Sequence, residues 1–313
     1  MSTAAPAGWA ESRERSNRLA LRVIAWIATR LGRPVARLVL LPVTLYFLLF
    51  APGPRRHARR YLARALGREP GWRDLWRHFH AFASVALDRI WFARGDMRPF
   101  ELRLTGGPVV DAALADGRGA LMLGAHLGSF EVLHTVGAER PGMRVAMVMY
   151  PDNARMVQSV LQALAPEASL DVIPLGQPGS ALRIRDWLDG GGLVGLLGDR
   201  FRPGAGLEGS VACPFLGPAA RFGDGPLRLA LTLRREVVFM VGLYHGGARY
   251  EVRFEPLADF RTPPAGAAER EQAVQQALAA YVQRLEQLCR EAPYNWFNFY
   301  DFWHEDAPAP AAR

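Results

Sequence analysis

His126 and Glu131 stand five positions apart in the stretch 119–136, GALMLGAHLGSFEVLHTV, and together they are the residue types needed for proton transfer. An imidazole takes up a proton near neutral pH, and a carboxylate on its second nitrogen fixes the tautomer. Five residues on an ideal helix turn the side chain through about 140°, so two groups at this spacing do not share a helix face. The chemistry therefore requires His126 in a turn and Glu131 on the first turn of a following helix. Residues 120–123 form an apolar run short enough for a buried strand, Gly124 ends it, and residues 130–136 have helical character. An isolated His–Glu pair is also a common turn hydrogen bond. What favours a dyad here is the strand that delivers it, the open backbone at Gly119, Gly124 and Gly128, and arginine-bearing loops further on.

Those loops belong to a repeating pattern. Residues 145–149, 170–174 and 193–197 read as strands, and residues 153–164, 180–188 and 226–233 as helices. Residues 237–243 and 250–254 alternate like an antiparallel pair turned at Gly246–Gly247, and residues 267–289 form a long amphipathic helix. This succession predicts an α/β domain with a mostly parallel sheet flanked by helices. Functional loops then gather at the carboxyl ends of the strands. Three stretches qualify: 124–131, the Tyr-Pro-Asp-Asn run at 150–153, and 198–204 (GDRFRPG).

If the reaction is acyl transfer to a hydroxyl, His126 is the general base and Glu131 steadies the imidazolium. The tetrahedral oxyanion needs donors nearby. Candidates are the backbone N–H groups of Gly128 and Ser129 at a helix N-terminus, and an arginine of the 199–202 loop. Ser129 lacks a G-x-S-x-G setting and reads better as a helix N-cap than as a nucleophile. Arg200 and Arg202 suit a phosphate on the acceptor or on the donor's carrier arm, with Asn153 and Asp199 beside them as substrate-binding candidates. For Asp199, an internal ion pair with Arg200 is an equal alternative.

The chain has 313 residues, 50% hydrophobic and 10% aromatic, which excludes a disordered polymer. Its formal charge is +8, and every one of the 38 basic residues is arginine. Such a chain suits anionic partners, and the N-terminus points to membrane rather than nucleic acid. Residues 38–51 (LVLLPVTLYFLLFA) are the most hydrophobic run, with Arg37 before them and Arg55, Arg56, Arg59, Arg60 and Arg64 after. Together with the apolar residues 19–31 this predicts hydrophobic anchoring helices with a basic flank on the cytoplasmic leaflet, a buried core helix being the alternative. Fourteen residues fall short of the roughly 20 of a spanning helix. Residues 72–92 read as an amphipathic helix on which His78 and His80 point apart and make a poor metal pair. Cys213 and Cys289 fit neither a disulfide framework nor a zinc site.

With these residues in view, the sequence resembles the bacterial lipid A biosynthesis (lauroyl/myristoyl) acyltransferases of the lysophospholipid acyltransferase superfamily, which carry H-x4-D or H-x4-E. The matching pieces, in order, are GAHLGSFE, YPDN, GDRF, Cys213-Pro214-Phe215-Leu216-Gly217 and Gly225-Pro226-Leu227-Arg228-Leu229-Ala230. The resemblance implies a PlsC-like α/β fold with N-terminal membrane-anchoring helices. It also implies acyl carrier protein or acyl-CoA thioesters as donor, membrane lipids as partners, no cofactor, no metal, and a place at the cytoplasmic face of the inner membrane. The sequence divides into an anchoring region (1–66), an acyltransferase domain (67–305) and a disordered tail (306–313) on this reading, the resemblance itself running from the N-terminal anchor to about Pro256. Two departures concern the acceptor. Arg is missing after Tyr150, and the ending PYNWFNFYDFW at 293–303 looks more like acyltransferase-like proteins of aryl polyene or xanthomonadin pigment clusters, as does RHFHAF at 77–82.

Overall fold

The structure, a computed structural model, describes residues 26–28, 30–132, 143–151, 171–200 and 209–303. Expectations for Asn153, for Arg202 and for the helix at 153–164 lie outside these residues, as does most of the helix expected at 130–136.

Residues 26–28 and 30 are helical, the rest of the apolar stretch 19–31 lying largely outside the described residues, and three helices follow: α1 (Gly32–Phe50), α2 (Pro52–Leu66) and α3 (Trp72–Phe92). Pro52 begins α2 at a position whose N–H needs no intrahelical partner, and Gly67 ends it in the left-handed conformation. α3 starts at Gly71, whose N–H donates to the Asp74 carboxylate three residues on. The α/β part follows as β1 (Glu101–Thr105), α4 (Gly107–Leu114), β2 (Ala120–Gly124), β3 (Val145–Met149), β4 (Asp171–Pro174), α5 (Ser180–Asp189) and β5 (Leu193–Leu197). A hairpin of β6 (Ser210–Pro214) and β7 (Ala219–Gly223) leads to α6 (Gly225–Leu233), β8 (Glu236–Tyr244), β9 (Arg249–Asp259) and α7 (Ala267–Glu291).

Seven strands make one sheet in the order β1-β9-β8-β2-β5-β3-β4, parallel except for the β8–β9 hairpin. The mixed α/β architecture is the one the alternating pattern predicts. β2 and β5 are apolar along nearly their whole length and are buried on both faces, as central parallel strands must be. Three elements escape the sequence pattern. β1 is a polar, largely exposed edge strand (ELRLT), α4 is only eight residues long, and the β6–β7 hairpin stands outside the main sheet.

The last described segment, residues 292–303, leaves α7 and runs back across the sheet. Asn295, 5% exposed, brackets Tyr244 at the end of β8: its Oδ1 accepts from Tyr244 N (2.7 Å) and its Nδ2 donates to Tyr244 O (3.1 Å). Trp296 is buried against Tyr61 of α2 and against Phe215 and Phe302. Phe297 and Phe299 pack on α3 around His78. The aromatic ending therefore knits α2, α3 and the sheet together. His78 and His80 do part as expected: His78 is fully buried among rings, whereas His80 faces Thr44 of α1 (3.3 Å). Among the described residues no group of His, Cys, Asp and Glu side chains forms a metal site, and Cys213 and Cys289 are both free.

Burial holds the His78 imidazole neutral, with its pKa pushed down to about 4. A base whose pKa falls on folding must be charged at a cost when the pH drops below its unfolded value near 6.5, so stability declines from there down to about pH 4. At pH 5 this contribution is about 2 kcal/mol. Denaturant titrations at pH 5 and pH 7.5 are expected to show His78→Phe losing less stability on acidification than the parent protein, by about that amount.

Candidate active site

β2 and β5 are neighbours in the sheet, and their register sets Gly124 opposite Leu197. His126 lies two residues beyond the first and Asp199 two residues beyond the second, so the parallel pairing delivers both side chains to the same rim. His126 Nδ1 meets Asp199 Oδ1 at 2.8 Å, and the His126 backbone N–H donates to Asp199 Oδ2 at 3.1 Å. Trp296 Nε1 donates to that same Oδ2 at 3.0 Å. The Asp199 carboxylate is thus filled by three donors from two segments and is only 2% exposed. The imidazole keeps 31% of its surface open, and among the described residues its Nε2 has no partner.

The carboxylate on Nδ1 is Asp199, which corrects the expectation of a His126–Glu131 dyad. Glu131 does sit on the first helical turn after the loop, but Arg89 of α3 reaches its Oε1 (Nε at 2.9 Å), and the Ser129 hydroxyl donates to its Oε2 (3.2 Å). Ser129 is the N-cap the sequence suggests: its Oγ accepts from Val132 N at 3.4 Å, and the residue is completely buried.

A second correction concerns the oxyanion donors. The Gly128 N–H donates to Asn295 O (2.8 Å) and the Ser129 N–H to Gly242 O (2.8 Å), so both are consumed in holding the loop between the C-terminal segment and β8. The loop is fastened on two sides, by a bridge of Leu127 with Trp296 and one of Gly128 with Gly242. Phe297 N donates to His126 O at 3.1 Å, while Gly124 O accepts from both Gly198 N and the Tyr281 hydroxyl at 2.9 Å. Gly128 has φ +73°, and a Cβ there would run into the Gly242 carbonyl, while a Cβ on Gly242 would run into Ser129 O and the Val132 side chain, so each side of the contact needs a glycine.

Arg200 follows Asp199. Its guanidinium lies over the Tyr300 ring (5.4 Å to the centroid) and donates weakly to Phe297 O (3.4 Å). This places the cation at the rim of the site and gives Asp199 a main partner other than the neighbouring arginine. Sequence reasoning singled out Asp199 and Arg200 for substrate but missed Asp199 as the histidine's partner. It also missed Asn295, Trp296 and Tyr281 as supports of the loop. The sequence puts both residues just beyond apolar strands, His126 after Gly124 and Asp199 after Gly198, but it does not show that those two strands are neighbours in the sheet.

Comparison with protein families adds one finding. The model of the family described as bacterial lipid A biosynthesis acyltransferase matches residues 18–305. The chain belongs to this family. It is therefore an acyltransferase of the lipid A biosynthesis type. No match is found among curated proteins.

The electrostatics of the acyltransferase site keep the base ready. Burial lowers the His126 pKa, the Arg200 charge lowers it further and Arg89 adds to this, against the opposing pull of Asp199. For Asp199 burial alone acts upward, yet the charge and hydrogen bond of His126, with help from Arg200 and Trp296, hold it below the usual carboxylate range. The pair is neutral imidazole with anionic carboxylate at neutral pH. Because the folded-state pKa of the base is depressed, the active neutral form survives acidification through pH 6.5. The acid limb of kcat/KM is expected to fall below 6.5. Arg200→Gln removes a charge that disfavours imidazolium, so a pH–rate profile of that variant is expected to show its acid limb at higher pH than the parent.

Gly128→Ala provides a structural check. The added methyl meets the Gly242 carbonyl in a backbone conformation that alanine disfavours, at a cost of about 1–3 kcal/mol or more. A lower melting temperature with a loss of transfer activity is the expected outcome, and an unchanged melt would show that the loop is not clamped in this way.

Proposed function

We propose that this acyltransferase moves a fatty acyl chain from an acyl carrier protein thioester to a hydroxyl of a lipid A precursor-like glycolipid, at the cytoplasmic face of the inner membrane. The observation that carries the mechanism is the His126–Asp199 pair with Nε2 left open. Nε2 takes the proton of the acceptor hydroxyl as its oxygen attacks the thioester carbonyl, and Asp199 steadies the imidazolium that forms. Collapse of the tetrahedral intermediate breaks the carbon–sulfur bond, and the imidazolium returns the proton to the departing thiolate. Ester and free thiol are the products, so atoms and charge balance without a cofactor. Because the N–H groups of Gly128 and Ser129 are occupied, Arg200 is the described residue best placed to support the oxyanion or a phosphate of the acceptor.

Glu131 has a different part in this reading. It neutralises Arg89, one of the cations that depress the histidine's proton affinity. Steady-state kinetics of purified variants with an acyl carrier protein thioester and a glycolipid acceptor distinguish the two carboxylates. His126→Ala is expected to lower kcat/KM by about 10²–10⁴. Asp199→Asn is expected to approach that loss, because an amide no longer stabilises the imidazolium, while Glu131→Gln retains more activity and displaces the pH profile. Full activity in Asp199→Asn together with a dead Glu131→Gln would return the dyad to Glu131. For the acceptor, mass spectrometry of lipids from a deletion strain complemented with parent or His126→Ala decides. Loss of one acyl chain from lipid A, restored by the parent alone, supports the glycolipid, whereas loss of a pigment ester with intact lipid A replaces it.

A further inference from the structure

The helix α1 has 19 residues, a mean hydropathy of 1.6 and little burial, and by length and composition it is able to cross a membrane. Its surroundings suggest another geometry. Residues Ala36, Leu40, Thr44 and Leu48, one helical turn apart, form a buried stripe. That stripe lies along α3 in the antiparallel sense, from the Arg33–Asp88 contact near one end to the Thr44–His80 contact further along. Arg33 holds fully buried Asp88 with two hydrogen bonds of 2.8 Å, and Arg37 donates to the Tyr244 hydroxyl and to Gly247 O at 3.1 Å. At the other end, Arg55 donates to Leu48 O (2.6 Å) and Leu49 O (3.1 Å).

The opposite face is apolar and open. Leu38, Leu41, Leu45 and Leu49 are 65%, 43%, 47% and 48% exposed, and Phe50 is 62% exposed. Immediately after it, α2 presents the exposed arginines Arg56 and Arg59. A helix of this length spans about 28 Å, close to the roughly 30 Å hydrocarbon core. If α1 crossed the bilayer while docked, α3 would be drawn into the hydrocarbon along its length, with exposed Arg73 and Arg77 and half-buried Arg89. If it undocked to cross, Asp88 would lose its guanidinium partner inside the protein.

We infer that α1 lies in the plane of an anionic bilayer, as an interfacial helix with its Leu38–Leu41–Leu45–Leu49 face sunk into one leaflet and its other face still seated on α3. The occupant of the exposed face is lipid: the leucines meet acyl chains while Arg56 and Arg59 meet anionic headgroups. This rests on the membrane-facing reading proposed above and specifies its geometry.

Spin labels report the depth directly. The full chain with Cys213→Ala carries one label at a time at Leu38→Cys, Leu41→Cys, Leu45→Cys or Leu49→Cys, on vesicles of phosphatidylethanolamine and phosphatidylglycerol. Collision rates with oxygen and with a nickel chelate give each depth. The four labels are expected at one shallow level, about 5–10 Å below the headgroups. Phosphatidylcholine vesicles, or Arg56→Gln with Arg59→Gln, are expected to weaken binding about tenfold or more. Depths that run from one interface through the midplane toward the other would show a spanning helix and overturn the inference. So would labels that stay in water, or labels already shielded before vesicles are added, which would mean that the chain or a second copy covers the face. Acyl transfer in detergent micelles is measured on the same variants, so a failure of the membrane geometry is separable from a failure of the catalytic reading.

Discussion

The site depends on the parallel register of β2 and β5. Once Gly124 stands opposite Leu197, the two chains leave the sheet in step, and the second residue beyond each end comes to the same place. Register is strongly specified here because both strands are buried on both faces, and a slip of one residue would exchange every side chain between them. The Gly198 N–H bond to Gly124 O carries the pairing one step past the strands, so His126 and Asp199 are aligned by backbone before any side chain interacts. Their 2.8 Å contact is a consequence of sheet pairing rather than of loop sequence.

A loop fastened at one end only would not hold an imidazole to that tolerance. The C-terminal segment supplies the second attachment. Asn295 uses both ends of its amide on Tyr244 and offers its carbonyl to Gly128, so one residue ties the histidine loop to the end of β8. Trp296 spends its only hydrogen on Asp199 while its ring is packed edge-on against Tyr61, Phe215 and Phe302. The indole cannot tilt without displacing those neighbours, so the carboxylate is oriented by packing as much as by hydrogen bonds. Such fixed dipoles need no reorganisation as charge develops.

Strands and helices that alternate with a clear hydrophobic period were legible in the sequence, and the α/β plan followed from them. Those that were not legible lack such a period: β1 is polar because it is an edge, and the β6–β7 hairpin buries only part of its side chains. The site divides along the same line. His126 could be found because a turn after a buried strand announces itself locally. Asp199 could be placed on the same rim, but its partner could not, since strand order and register are properties of the whole sheet. The H-x4-E spacing, with His126 in a turn and Glu131 on the helical turn after it, favours Glu131, five positions away, over a residue seventy-three positions away. Distance along the chain misled there: β2 and β5 are adjacent, whereas the loop between His126 and Glu131 turns the carboxylate toward α3. Leu38–Leu49 was legible as apolar, but the 3–4 spacing that separates a docked face from an open one gains meaning only once α3 is beside it.

The charges around the imidazole explain why two carboxylates are present when one suffices to hold it. Arg89 and Arg200 both act against protonation of His126. With Asp199 alone, the two cations would outnumber it, and the imidazolium formed during transfer would be disfavoured. In the proposed mechanism Glu131, 2.9 Å from Arg89, offsets part of that cation's charge without itself engaging Nδ1. On this proposal a carboxylate five residues after the histidine acts on the reaction through an arginine on another helix, a contact that the spacing alone does not reveal.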